Sequence, residues 1–106
     1  MKKGTIVLIP FPYTDLSGYK VRPAILLSCN DIDLTVCFVT SELKMKTECD
    51  FSVLPSETNG LKVKSYIRAD KIVTIDVELV YGILGDFSDS EVKKLDICLK
   101  NAFQLW

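Results

Sequence analysis

Among thirteen cationic side chains only two are arginines, Arg22 and Arg68; the other eleven are lysines. A guanidinium stays charged in any environment, and its planar fork can grip two phosphate oxygens at once, which an ammonium does less well. Arginine used this sparingly points to anion binding, with a structural ion pair as the plain alternative. Tyr66, Arg68 and Asp70 are spaced by two. On a strand this spacing sends an aromatic, a cation and a carboxylate to one face, while Ile67 and Ala69 point to a core. Such a face suits a phosphate and its base, and it equally suits an Arg68–Asp70 salt bridge on a solvated sheet. Thr40 and Ser41 close another strand-like run. Two adjacent hydroxyls there can donate to a phosphate oxygen or cap the turn before Glu42.

The absent residue types narrow the chemistry. The chain has no histidine, which excludes His-based acid–base catalysis and the Ser–His and Cys–His nucleophile arrangements. Any reaction must run on Asp, Glu, Lys, Arg, Tyr or hydroxyl groups. Cys29, Cys37, Cys49 and Cys98 form no C-x-x-C pair, so no zinc site is expected and the four are read as buried free thiols. The net charge of −1 and the pI of about 5.3 argue against a protein that coats duplex DNA. A small cleft for a few nucleotides stays open, because local charge governs binding there.

These side chains need a scaffold. With 106 residues, 48% hydrophobic and 25% charged, the chain is expected to form one domain over 1–106 with a real core. No apolar run approaches the ~20 residues of a membrane span. Met1-Lys2-Lys3-Gly4 leads straight into a strand-like run rather than a signal peptide, so a cytoplasmic protein with no membrane partner is expected. Thr5 to Phe11 reads as a buried strand ended by Pro10 and Pro12, followed by a polar turn segment from Tyr13 to Lys20 that pivots on Gly18. Ala24 to Ser28 and Leu34 to Thr40 read as a hairpin turned at Asn30-Asp31. Cys49, Phe51 and Val53 alternate with Asp50 and Ser52 as in a half-buried strand. Leu54 to Lys64 is a loop, and Tyr66 to Ile75 is a strand. Asp76 can cap one helical turn stopped by Gly82, and Ile83 to Phe87 is a short last strand. Ser88-Asp89-Ser90-Glu91 is a capping box that opens a helix with Val92, Leu95, Leu99, Ala102, Phe103 and Trp106 on its apolar stripe. Many short strands and one terminal helix predict a strongly curved sheet or open barrel.

Three blocks together resemble the MazF/PemK toxin family. The first runs Gly4-Thr5-Ile6-Val7-Leu8-Ile9-Pro10-Phe11, then Asp15, Gly18 and Lys20-Val21-Arg22-Pro23-Ala24. The second is Val39-Thr40-Ser41, and the third is Ser65-Tyr66-Ile67-Arg68-Ala69-Asp70 leading into Thr74-Ile75-Asp76. The resemblance implies a mainly β fold, an SH3-like barrel with one C-terminal α-helix. It implies the toxin of a type II toxin–antitoxin system, an endoribonuclease that cuts single-stranded RNA with no metal or other cofactor. Attack by the ribose 2′-hydroxyl would leave a 2′,3′-cyclic phosphate and a 5′-hydroxyl. By the same resemblance Arg22 and Thr40 match the phosphate-stabilising pair, and Arg68 and Asp70 match a proposed acid and base. Ser41 matches an adjacent hydroxyl, and Lys20, Ser65 and Tyr66 fall among RNA-binding positions. An arginine beside Asp70 favours its charged form, and arginine is a poor proton donor. Arg22, Arg68 and Thr40 are therefore read first as transition-state stabilisers.

Partners follow from the family as well: a second copy, joined through a sheet edge and the helix region, and an antitoxin whose acidic, disordered C-terminal tail folds onto the toxin. The polar, glycine-bearing Tyr13–Lys20 loop leads directly into Arg22, so a bound peptide could displace it and cover the site. Two positions depart from the family pattern. Val73 stands where a basic residue usually precedes the Thr74-Ile75-Asp76 block, and the first loop lacks the histidine of the PemK branch. Two other readings use the same fold. One is a CcdB-type toxin that binds gyrase through a terminal aromatic, for which Trp106 is available; the other is a degenerate member that only binds antitoxin.

Overall fold

The computed structural model describes residues 1–12, 15, 17–42 and 49–105. Strands β1 (Thr5–Pro12), β2 (Tyr19–Cys29), β3 (Asp33–Thr40), β4 (Asp50–Val53), β5 (Ser65–Asp76) and β6 (Gly82–Asp86) precede helix α1 (Asp89–Phe103). They form one sheet in the order β4-β5-β3-β2-β1-β6, antiparallel throughout. The sheet curls into a half-barrel, mainly β with a single C-terminal helix, as the sequence predicts.

The curl shows in how the central strands are buried. Ile6, Ile25 and Cys37 face a core with Leu95 and Cys98 of α1. Val7, Ile9, Ala24, Leu26, Leu34 and Val36 face a second core on the opposite side, with Val73, Ile75, Val77 and Val80 against them. Burial on both faces explains why β1 reads as an almost unbroken apolar run instead of an alternating one. The β2–β3 hairpin turns where expected: Asn30 Oδ1 accepts from the backbone N–H of Ile32 and Asp33, each at 2.8 Å. The capping box at the start of α1 is complete, with Ser88 and Glu91 each bonding the other's backbone.

Several boundaries differ from expectation. β1 runs through Pro10 to Pro12, which oppose Val21 and Tyr19. Pro10 directs its backbone to the same side as Leu8, whose carbonyl accepts from Tyr81 N–H. That side has no strand beyond Leu8, where the β6 pairing ends, so the missing N–H breaks no ladder bond. Tyr19 and Lys20 belong to β2 rather than to the first loop, half of whose other residues lie outside the described ones. The turn capped by Asp76 ends at Leu79, and Gly82 opens β6 instead of stopping the turn. On β4 the alternation fails, because Asp50 is buried. Of the four free thiols, Cys37 and Cys98 are buried, Cys49 is half-buried and Cys29 is exposed near the hairpin turn.

Burial pushes the Cys37 thiol from its ordinary 9.0 up to about 12. The folded chain therefore keeps this proton where the unfolded chain releases it. The associated stability is complete below about pH 9 and is lost as pH rises toward about 12. We expect urea midpoints of the wild type to fall more steeply between these limits than those of Cys37→Ala. Parallel curves would remove the thiol from the alkaline response.

Candidate functional site

β2 begins with an overhang: Tyr19 to Arg22 are exposed, and burial starts at Ala24. Arg22 opposes Ile9 and stands two residues before Ala24, which pairs with Phe38 on β3. Thr40 stands two residues past Phe38, opposite Tyr66 on β5. The ladder thus brings Arg22 and Thr40 to the same place, and both line two adjoining clefts.

The first cleft, about 450 Å³, sets Lys20, Arg22, Thr40, Ser41, Lys62 and Ser65 against an apolar wall that includes Leu8, Leu61 and Leu84. The second, about 290 Å³, holds Arg22, Thr40, Arg68 and Lys71 beside Phe11 and Phe38. Those two rings meet edge to face, with centroids 4.8 Å apart. Among the described residues no carboxylate lines either cleft. Cations converging over low-dielectric walls concentrate positive potential there and draw in anions.

A bulge in β5 decides which residues reach the second cleft. Cys37 pairs with Ile72 and Phe38 with Arg68, so one step along β3 matches four along β5. Ala69, Asp70 and Lys71 are the surplus. An odd surplus exchanges the faces of a strand. Ile67 and Ala69 accordingly pack on the α1 side, whereas Val73 and Ile75 pack on the other. Lys71 is aimed into the cleft beside Arg68. Asp70 is exposed and lines neither cleft. Val73, where the family usually carries a basic residue, packs against the second core.

Arg68 has its counter-charge on a different strand from the one the spacing suggests. Its Nε lies 3.4 Å from Oδ1 of Asp50, the residue opposite it on β4. Thr40 is engaged as the capping alternative describes: its Oγ1 accepts from Glu42 N–H at 3.1 Å and donates to Glu42 O at 3.2 Å. Ser65 is buried in the first cleft, its hydroxyl donating to Val63 O at 3.0 Å. Tyr66 lies outside both clefts, with Lys64 Nζ 5.7 Å from its ring centroid. In the first loop, the Ser17 backbone N–H and hydroxyl hold the Asp15 carboxyl below its ordinary value. Tyr13, Thr14, Leu16 and Trp106 lie outside the described residues.

Sequence reasoning passed over Lys62, Lys71, Asp50, Phe11 and Phe38. Lys62 sat in a loop read only for its turn residues, and both phenylalanines read as core. Among the described residues no three His, Cys, Asp or Glu side chains are grouped to hold a metal ion. No described helix is long and apolar enough to cross a membrane.

A curled antiparallel sheet, a terminal helix and a cationic cleft across β2, β3 and β5 define a small barrel protein with a positively charged groove. Residues 2–103 match the model of the PemK-like, MazF-like toxins of type II toxin–antitoxin systems, and the chain belongs to this family. MazF/PemK toxins are endoribonucleases. Solved structures agree on the fold. An endoribonuclease in complex with its cognate antitoxin, from Mycobacterial species, superposes with TM-score 0.77 at 20% identity, covering 100% of this chain and 97% of that one. Toxin MazF-mt6 of Mycobacterium tuberculosis gives 0.76 at 23% identity, covering 96% and 98%. A MazE–MazF structure from Deinococcus radiodurans gives 0.75 at 20%, covering 100% and 98%. Among curated proteins no sequence matches this chain.

Proposed function

We propose that this toxin cuts single-stranded RNA by internal transfer at phosphorus, with no metal ion. The supporting observation is that Arg22, Thr40, Arg68 and Lys71 share one cleft that no described carboxylate lines. In the reaction the 2′-oxygen forms a bond to phosphorus and the bond to the 5′-oxygen breaks. The 2′-hydroxyl proton leaves to a base, and the departing 5′-oxygen gains one. Negative charge builds on the phosphorane oxygens in between, and preorganised cationic donors stabilise it more than they stabilise the ground state.

Arg22 belongs to both clefts and is the natural clamp for the scissile phosphate. Thr40 would exchange its 3.2 Å bond to Glu42 O for a phosphate oxygen. Arg68 supplies the second fork. Lys20, Ser41 and Ser65 lie along the first cleft, where phosphates can follow the cations and bases can rest on the apolar wall. Asp70, exposed in the bulge between Arg68 and Lys71, is the carboxylate nearest to them along the chain. Charge stabilisation is the main contribution in this reading, and Tyr66 serves flanking nucleotides.

The remaining family features are part of the same reading: a single toxin domain over 1–106, acting in the cytoplasm as a homodimer and restrained by an antitoxin with an acidic, disordered tail. β6 is an edge strand with Ile83 and nearby Tyr81 exposed, the kind of edge that pairing covers.

Long single-stranded RNA incubated with the purified toxin in EDTA should yield fragments ending in 2′,3′-cyclic phosphate and beginning with 5′-hydroxyl. A 2′-deoxy substitution at the cut nucleotide should block that cut. Cleavage that vanishes in EDTA and returns with magnesium overturns the metal-free mechanism, and intact RNA overturns the nuclease reading.

A further inference from the structure

We infer that Asp50 is a positioning residue for the reaction proposed above, its buried carboxylate holding Arg68 toward the cleft. The Asp50 side chain is 1% exposed, against 32% for Arg68. A carboxylate that deep is tolerated only with compensating charge and hydrogen bonds. The pairing is set by the backbone: Phe38, Arg68 and Asp50 form one register row across β3, β5 and β4. Oδ1 meets the inner nitrogen, Nε, at 3.4 Å. Contact there leaves the outer end of the guanidinium available to the cleft that Arg68 lines.

The need for such an anchor follows from the cleft itself. Arg22, Arg68 and Lys71 converge on one volume, and like charges at close range repel more strongly where water is partly excluded. With no anion bound, a long side chain under that repulsion gains by swinging outward. A fixed negative charge behind Arg68 opposes that swing and keeps the fork preorganised. Asp50 itself lines neither cleft, so it acts through Arg68 rather than on RNA.

Single-turnover cleavage by Asp50→Asn, Arg68→Ala and the double variant tests the inference. Asp50→Asn should slow cleavage by about 10- to 100-fold, the scale on which misplaced groups lose rate. Affinity for a 2′-O-methyl RNA should fall much less. In the Arg68→Ala background the Asp50 change should add nothing, because residues acting as one unit are non-additive. A wild-type rate for Asp50→Asn, or the same loss in both backgrounds, overturns the proposal while leaving the nuclease reading standing. If wild type leaves RNA intact, both fall. Should Asp50→Asn fail to fold, nitrogen NMR of the wild type decides: an Arg68 Nε–H bond as rigid as the backbone supports the anchor, and a signal averaged like free arginine overturns it.

Discussion

Arg22→Ala is expected to lower single-turnover RNA cleavage by about 10²–10³-fold, the loss of roughly 3–4 kcal/mol of transition-state stabilisation from one well-placed donor. Thermal unfolding should stay near wild type, because Arg22 is exposed on the β2 overhang and no core residue rests on it. Arg22 lines both clefts, so a single truncation removes positive charge from each. Arg22→Lys restores the charge without the fork and should recover only part of the rate. If the lysine variant cuts as fast as wild type, Arg22 contributes generic attraction and the bidentate clamp is wrong.

The second large effect is on stability. Asn59 is fully buried and ties the loop between β4 and β5 to itself. Its Oδ1 accepts from Ser56 N–H and Leu61 N–H, each at 3.0 Å. Its Nδ2 donates to Leu54 O at 2.9 Å and to Glu91 Oε2, in the α1 capping box, at 3.3 Å. Asn59→Ala strands these partners, each at about 1–3 kcal/mol where water cannot reach. The expected net loss is about 3–4 kcal/mol, which in a chain of this size lowers Tm by roughly 15 °C or more. Asn59→Asp should fare little better, because it keeps the acceptors and loses the donors. A urea-derived loss below about 1 kcal/mol would show that water or local rearrangement satisfies the loop. The loop also shapes the first cleft, which Leu61, Lys62 and Val63 line. The close fit leaves little slack, since a Cβ on Gly85 would lie 2.4 Å from Thr58 O, and one on Gly60, at φ +71°, 2.3 Å from Leu84 O.

Features written in local sequence were legible in advance. The Ser88–Glu91 box, the Asn30 turn and the unbroken apolar run of β1 each involve neighbours along the chain, and each forms as read. Arg22 and Arg68 stood out by residue type alone. What escaped depends on pairing between distant segments. Period-two counting places Tyr66, Arg68 and Asp70 on one face only if β5 is regular, and the surplus of Ala69, Asp70 and Lys71 is defined solely against β3. Lys71 could not be distinguished from the other lysines without that bulge. Asp50 looked like the solvent-facing partner of Phe51 and Val53; its burial and its contact with Arg68 come from its register on β5.

The order of the strands also bears on when the toxin can act during its own synthesis. Arg22 is on β2, Thr40 on β3 and Arg68 with Lys71 on β5, so the ribosome must deliver β5 before the charges can meet. β1 gains its second neighbour only when β6 arrives; Thr5 bonds to Asp86 across 81 residues. Contacts this distant in sequence form late and slowly. A nascent chain therefore carries separate pieces of the cleft for most of its elongation, and the assembled site is among the last features the fold completes.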